Sequence, residues 1–426
     1  MRRVARTAVA VALPALLTLG CTDAPREQRS ADRPAPSPTA SESTVDPDTP
    51  TSWGPTVGEV TRAEELVASW PPRRLAGQLI VGRYNGTDPQ VPADLVAEHH
   101  LAGIQMTSPS IVDRGQVLAT TRAVTQAARA DGRQFPPVLG IDQEGGVVSH
   151  LDGVATEFPS FATAGAAVAN AGGTGRAAVR AAADATALEL RELGFTWVFA
   201  PVADVTIGAA DPTIGSRSPS TDPHVAARAV VAAVNGYNGA GIVSTVKHFP
   251  GHGSATADSH ETLPRIDAKL PRLRERDLVP FVRAIGAGAP AVMVGHLDVP
   301  ALEPGVPTSL SAATYELLRE ELGFEGVAIT DSLGMGAVVA TTKPAVTAIN
   351  AGADLLLMPA DTARTARTIT RAIGSGEIQR DRAEEAAARV VAMQLWQQRV
   401  GNAVPVPPDV AQRAQQAAAD LSAAAY

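Results

Sequence analysis

The sequence predicts an α/β fold, a single-domain (β/α)8 TIM-type barrel, on three observations. Eight short apolar runs recur along the chain, Ala-rich amphipathic stretches separate them, and ionisable residues gather just after the runs. Continuous apolar runs suit strands buried on both faces of a parallel sheet. Eight such units in succession favour a closed barrel over an open doubly wound sheet.

The runs lie at 78–82, 102–106, 137–142, 195–201, 242–249, 291–296, 326–331 and 353–359. Between them, 176–193, 224–238, 270–286 and 311–322 carry helical periodicity. Gly194 and Gly241 fall just before a run, where glycine commonly ends a helix. A barrel gathers its chemistry at the C-terminal ends of its strands. The third run ends in Asp142, the fifth in Lys247-His248, the sixth in His296 and the seventh in Asp331; the fourth runs on to Asp204 and a long loop carrying Arg217.

The barrel is expected over 58–400, followed by a tail at 401–426 that is either a last helix or a frayed end. Residues 1–21 read as an export signal. Arg2, Arg3 and Arg6 precede an apolar stretch at 7–19, which is shorter than the about 20 residues needed to span a bilayer. Thr18-Leu19-Gly20-Cys21 resembles a bacterial lipobox, departing from it at Thr18, and implies lipidation of Cys21. An extracytoplasmic protein held at the cell membrane by that lipid is expected. Residues 22–57, rich in Pro, Ser, Thr and Asp, are expected to be a disordered tether.

Composition removes several classes of partner. Lys and Arg total 36 against 44 Asp and Glu, with no basic block, so nucleic acid is not an expected partner. A single cysteine excludes an intrachain disulfide and a cysteine metal site.

The densest chemistry lies in Lys247-His248-Phe249-Pro250-Gly251-His252-Gly253 and Asp258-Ser259-His260, which hold three of the chain's eight histidines. Ile141-Asp142-Gln143-Glu144-Gly145-Gly146, Ile214-Gly215-Ser216-Arg217-Ser218, and Gly323-Phe324-Glu325-Gly326 leading to Thr330-Asp331-Ser332-Leu333 complete the set. Five motifs in this order resemble the β-N-acetylglucosaminidases of glycoside hydrolase family 3, the NagZ-type enzymes, over about residues 60–390.

The resemblance implies a retaining exo-β-N-acetylglucosaminidase acting on amino-sugar oligosaccharides, with peptidoglycan fragments as the expected source. Asp331 matches the family nucleophile, and His260, steadied by Asp258, the acid/base. Retention requires these on opposite sides of the scissile bond. A histidine, with an ordinary pKa of about 6.5, suits proton transfer near neutrality. Asp142, Arg217, Lys247 and His248 would hold the sugar in the −1 subsite. Other readings of single residues stay open: Asp142 as a carboxylate beneath the Gly145-Gly146 turn, Arg217 as a surface ion pair, Lys247 as partner of a buried acid. His252 reads as structural, and His296 either way. No metal or organic cofactor is needed, and a monomer is expected, with membrane contact through the lipid alone.

The chain departs from the family pattern at Val147 and His150, where relatives carry basic residues, at Pro219, where an aromatic is frequent, and at Ser332, where a second aspartate is common. Three alternatives stand beside the leading reading. One is a phosphorylase, since an imidazole repels phosphate less than a carboxylate does. Another is a metal-dependent hydrolase with His248, His252, Asp258 and His260 as ligands, whose spacing matches no familiar zinc motif. The last is a non-catalytic sugar-binding lipoprotein.

Overall fold

The computed structural model describes residues 46–426; the predicted signal with Cys21, and residues 22–45 of the predicted tether, lie outside the described residues. Eight parallel strands form the sheet: β1 Ile80–Gly82, β2 Gly103–Met106, β3 Val138–Ile141, β4 Trp197–Val198, β5 Val243–Phe249, β6 Ala291–Val294, β7 Val327–Thr330 and β8 Leu356–Leu357. They are hydrogen-bonded in the order β8-β1-β2-β3-β4-β5-β6-β7. A parallel bridge between Ile329 and Leu355 joins the two ends, so the sheet closes into a (β/α)8 barrel. Each predicted run contains one strand. Every residue of all eight is buried, which is why the runs are apolar without alternation.

The helices start where short polar side chains can satisfy free N–H groups. Thr56 and Glu59 form a capping box ahead of Val57–Ala68, and Asp113, Asp222 and Asp361 cap Arg114–Ala130, Pro223–Gly239 and Thr362–Ser375. The stretch predicted at 176–193 is the second half of Phe161–Glu192, which kinks at Gly172. The stretch predicted as one helix over 270–286 is two, Leu270–Glu275 and Val279–Ile285. Pro280 is the reason: its ring excludes the helical position of the Arg276 carbonyl and it lacks an N–H to continue the ladder.

One boundary differs from expectation. The predicted tether does not reach residue 57. Trp53 is buried, Pro50 bridges to Thr56, and Arg399 hydrogen-bonds the Gly54 carbonyl. One indole supplies enough apolar surface to order a Pro/Thr-rich strap. The tail at 401–426 holds the helix Val410–Ala424, which packs on Phe161–Glu192 with Ala414 and Leu421 buried.

Asp354, just before β8, fastens the end of the barrel opposite the chemistry. Arg319 and Arg382 reach its oxygens at 2.5 and 2.7 Å and Arg389 at 3.1 Å, while the Ala328 N–H of β7 donates to it at 3.0 Å. No described helix is long and apolar enough to cross a membrane.

Candidate active site

A pocket of about 400 Å³ opens at the C-terminal ends of the strands. Asp142, Lys247, His248, Asp331 and Met358 stand at or just past the ends of β3, β5, β7 and β8, and Arg83 and Gln105 bring in β1 and β2. Arg217 and His260 reach the pocket from long loops. A larger cavity of about 610 Å³ lies at the other end, ahead of β3 and β4, but it contains no carboxylate and none of these residues.

Directly after β3 the chain turns through a small hairpin, Gln143–Gly145 paired with Val148–Ser149. Gly145 and Gly146 take φ of +87° and +60°, and a Cβ on Gly145 would lie 2.5 Å from the Pro159 carbonyl. Glycine is required at this turn. The tight return leaves Glu144 buried against the pocket wall, where Lys247 reaches it at 2.7 Å and Arg217 grips it with two nitrogens at 2.8 and 2.9 Å. Burial opposes ionisation of Glu144, but the two cations outweigh it and hold its carboxyl far below the usual range. Burial would equally depress Lys247; its ion pairs with Asp142 and Glu144 raise it instead. Asp142 also accepts from Gln105 Nε2 at 2.5 Å. The pocket wall is thus a network of alternating charge that presents Asp142, Lys247 and Arg217 in fixed positions.

His248 is set by a residue from another strand. Asp204, fully buried past β4, accepts from the His248 backbone N–H at 3.1 Å and lies 2.7 Å from His248 Nδ1. The same carboxylate accepts from the His252 N–H at 2.6 Å. Because Asp204 occupies Nδ1, Nε2 of His248 turns toward the pocket, 3.4 Å from Arg217 Nη2.

Asp331 stands half-buried at the end of β7, its Oδ1 accepting from the Ser332 N–H at 2.7 Å. Burial would push this carboxyl up, but His248, His296, the Ser332 N–H and Lys247 together hold it at about 2. His296, which the sequence left open, is fully buried: its Nε2 donates to the Ser332 carbonyl at 3.0 Å, and Nδ1 lies 2.6 Å from Ser309 Oγ. It braces the backbone beside Asp331 from below.

His260 is exposed at the pocket mouth. Asp258 Oδ1 holds it twice, accepting from its backbone N–H at 2.9 Å and lying 2.8 Å from Nδ1, which leaves Nε2 free. The His260 backbone and ring outweigh the burial that would raise the Asp258 carboxyl, and keep it below its usual value. His252 is buried, with Nε2 3.2 Å from Ser259 Oγ. The alternative metal ligands therefore turn to separate partners, and no group of three His, Cys, Asp or Glu among the described residues is placed to hold a metal ion.

The structure brings all of the sequence-predicted site residues within the described chain to this pocket, except that Asp258 stands behind His260. At the departures from the family pattern, Val147 points to solvent, whereas His150 lines the pocket with Nδ1 2.7 Å from Ser108 Oγ. Glu144 and Gln105 were given no role from the sequence, and Asp204 was placed past the fourth run without one. Charge balance was the missed signal for Glu144: two buried cations need more than Asp142 to compensate them. The place of Asp204 past a barrel strand was legible, but its partner His248, on another strand, was not.

An ionised carboxylate on the floor, a carboxylate-backed imidazole at the mouth and a polar wall rich in donors form an arrangement suited to cleaving sugar linkages in a barrel. The model of the glycosyl hydrolase family 3 N terminal domain matches residues 74–393. The chain belongs to that family. It is 33% identical over 290 residues to beta-hexosaminidase A of Pseudoalteromonas piscicida, covering 64% of this chain and 48% of that protein. It is 36% identical over 245 residues to a beta-hexosaminidase of Xanthomonas oryzae pv. oryzae, covering 57% of this chain and 71% of the relative. The glycoside hydrolase family 3 beta-N-acetylglucosaminidase from Paenibacillus sp. superposes with a TM-score of 0.73 at 31% identity, over 81% of this chain and 68% of the other. The chain thus spans about half the length of the first of these relatives and about seven-tenths of the second.

Proposed function

We propose that this protein is a retaining exo-β-N-acetylglucosaminidase, releasing terminal β-linked N-acetylglucosamine through a covalent intermediate on Asp331. The observation that carries the reading is the pairing, across one pocket, of a carboxylate held ionised with an imidazole whose Nδ1 is taken by Asp258. Relatives named beta-hexosaminidase and beta-N-acetylglucosaminidase support the amino-sugar preference.

In the first step Asp331 attacks the anomeric carbon. Its Oδ1 is engaged by Ser332, so Oδ2 is the attacking oxygen. The bond from the anomeric carbon to the leaving oxygen breaks as His260 Nε2–H protonates that oxygen, and Asp258 stabilises the imidazolium needed to donate. In the second step His260 takes a proton from water, whose oxygen displaces Asp331 and restores the carboxylate. Asp142, Lys247, Arg217 and His248 offer acceptors and donors to the ring hydroxyls.

The test is hydrolysis of a chromogenic β-N-acetylglucosaminide against the matching glucoside by the wild type and by Asp331→Asn. The acetamido sugar is expected to be strongly preferred, and the variant to lose nearly all turnover. Comparable activity in Asp331→Asn would remove it from the nucleophile role. Added phosphate is expected to leave the product unchanged; appearance of a sugar phosphate would favour the phosphorylase instead. Export, lipidation at Cys21 and action on peptidoglycan fragments belong to the same proposal and rest on residues 1–21. Labelled palmitate should enter the wild type and not Cys21→Ser.

A further inference from the structure

His260 is exposed on a loop, yet a general acid must be placed to within a fraction of an ångström of the leaving oxygen. Beyond Asp258, contacts at the root, within and at the far end hold the loop that carries it. Asp204 fixes the root of the loop through the His252 N–H at 2.6 Å. His252 Nε2 and Ser259 Oγ, 3.2 Å apart, staple the loop to itself. The far end is held from outside: the Gly336 N–H donates to the His260 carbonyl at 3.0 Å, and the Ala337 N–H to the Ser259 carbonyl at 3.3 Å. Gly336 opens the short helix Gly336–Val339, five residues past Asp331. These two bonds therefore tie the segment bearing the acid/base to the segment bearing the nucleophile.

Gly336 is not glycine for the sake of its backbone. It does not lie in the left-handed region, so its φ alone would admit alanine. What excludes a side chain is contact. A Cβ at 336 would lie 2.5 Å from the Glu261 carbonyl oxygen and 2.7 Å from that of His260. Both are backbone atoms, so relief requires moving the loop itself.

We propose that Gly336 is a positioning residue: its bare Cα and its N–H seat the 250–262 loop and so set the span between Asp331 and the His260 imidazole. The inference rests on the roles given above to these two residues. Displacing the loop withdraws the proton donor while leaving Asp331 and the sugar-binding wall in place. The loss should therefore fall on chemistry that needs protonation.

The experiment compares wild type, Gly336→Ala, Ser259→Ala and His260→Ala on two aryl β-N-acetylglucosaminides, one with a good and one with a poor leaving group, with thermal melting in parallel. For Gly336→Ala, kcat on the poor leaving group should fall about 10- to 10²-fold. On the good one kcat should fall less than about 3-fold, with KM moving less than about 2-fold, since neither protonation nor sugar binding limits there. Ser259→Ala, which removes one hydrogen bond and introduces no clash, should show the same split to a smaller degree, and it decides the matter if Gly336→Ala does not fold. Equal losses on both substrates, or none, in a folded variant would overturn the positioning role while His260→Ala keeps its split. If His260→Ala shows no split, the assignment of the acid fails, and this inference fails with it.

Discussion

Glu144 and Lys247 meet at 2.7 Å in the pocket wall, and the same carboxylate accepts from Nε and Nη2 of Arg217. Two cations beside one pocket are tolerable only because this acid, buried and ionised, lies between them. Glu144→Gln keeps the shape and removes the charge, leaving Lys247 with Asp142 alone and Arg217 unpaired. Removing one partner of a buried ion pair typically costs 3–5 kcal/mol, so a loss of about 3 kcal/mol in urea unfolding is expected. With the wall displaced, kcat/KM should fall on the order of 10²-fold. An unchanged kcat/KM in the folded variant would show that Glu144 has no part in ordering the site.

His260→Ala should lose little on substrates whose leaving groups depart without a proton, and on the order of 10²-fold or more on poor leaving groups. Steady-state rates across a series of aryl glycosides check this through the slope against leaving-group pKa. A slope equal to that of the wild type would count against His260 as the acid.

Asp204 accepts from the ring and backbone of His248 and from the backbone of His252. Asp204→Ala should therefore disturb the sugar wall and the root of the 250–262 loop together. We expect kcat/KM to drop on the order of 10²-fold, with losses on good and poor leaving groups alike, because sugar binding as well as protonation is affected. A loss confined to poor leaving groups would show that only the loop depends on Asp204.

Asp354 acts far from the chemistry. Burial would raise its carboxyl, but Arg319, Arg389, Arg382 and the Ala328 N–H hold it at about 2, below the ordinary 3.8. A folded-state value below the unfolded one means the stabilisation is complete above about pH 4 and is lost as pH falls toward 2. The shift corresponds to about 2 kcal/mol. Asp354→Asn should cost about 3 kcal/mol near neutral pH by stranding Arg319 and leaving Arg382 and Arg389 with Glu385 alone, and the gap from wild type should narrow between pH 4 and 2. Chemical unfolding at a series of pH values measures it; a gap that widens on acidification would contradict the sign.

The eight strands were legible because each is buried on both faces and so reads as an uninterrupted apolar run, a property of neighbours in sequence. Asp142, Lys247, His248 and Asp331 were legible for the same reason, standing where such a run meets polar residues at its C-terminal end. Trp53 was misjudged: composition placed it in a tether, while its fate depended on surface brought to it from elsewhere in the fold. The break in the helix predicted at 270–286 lay in plain view at Pro280 and was overridden by the surrounding periodicity.

The order of the elements, the closed barrel and the end of it that carries the chemistry were thus determined by local pattern, since burial and strand direction leave their marks within a few residues. Only the tertiary structure decided which charges pair. Glu144 finds Lys247 and Arg217, Asp204 finds His248, and Gly336 finds the carbonyl of His260, each across segments distant in the chain. Coulomb and contact energies depend on separation in space, which barrel closure sets and residue spacing does not record.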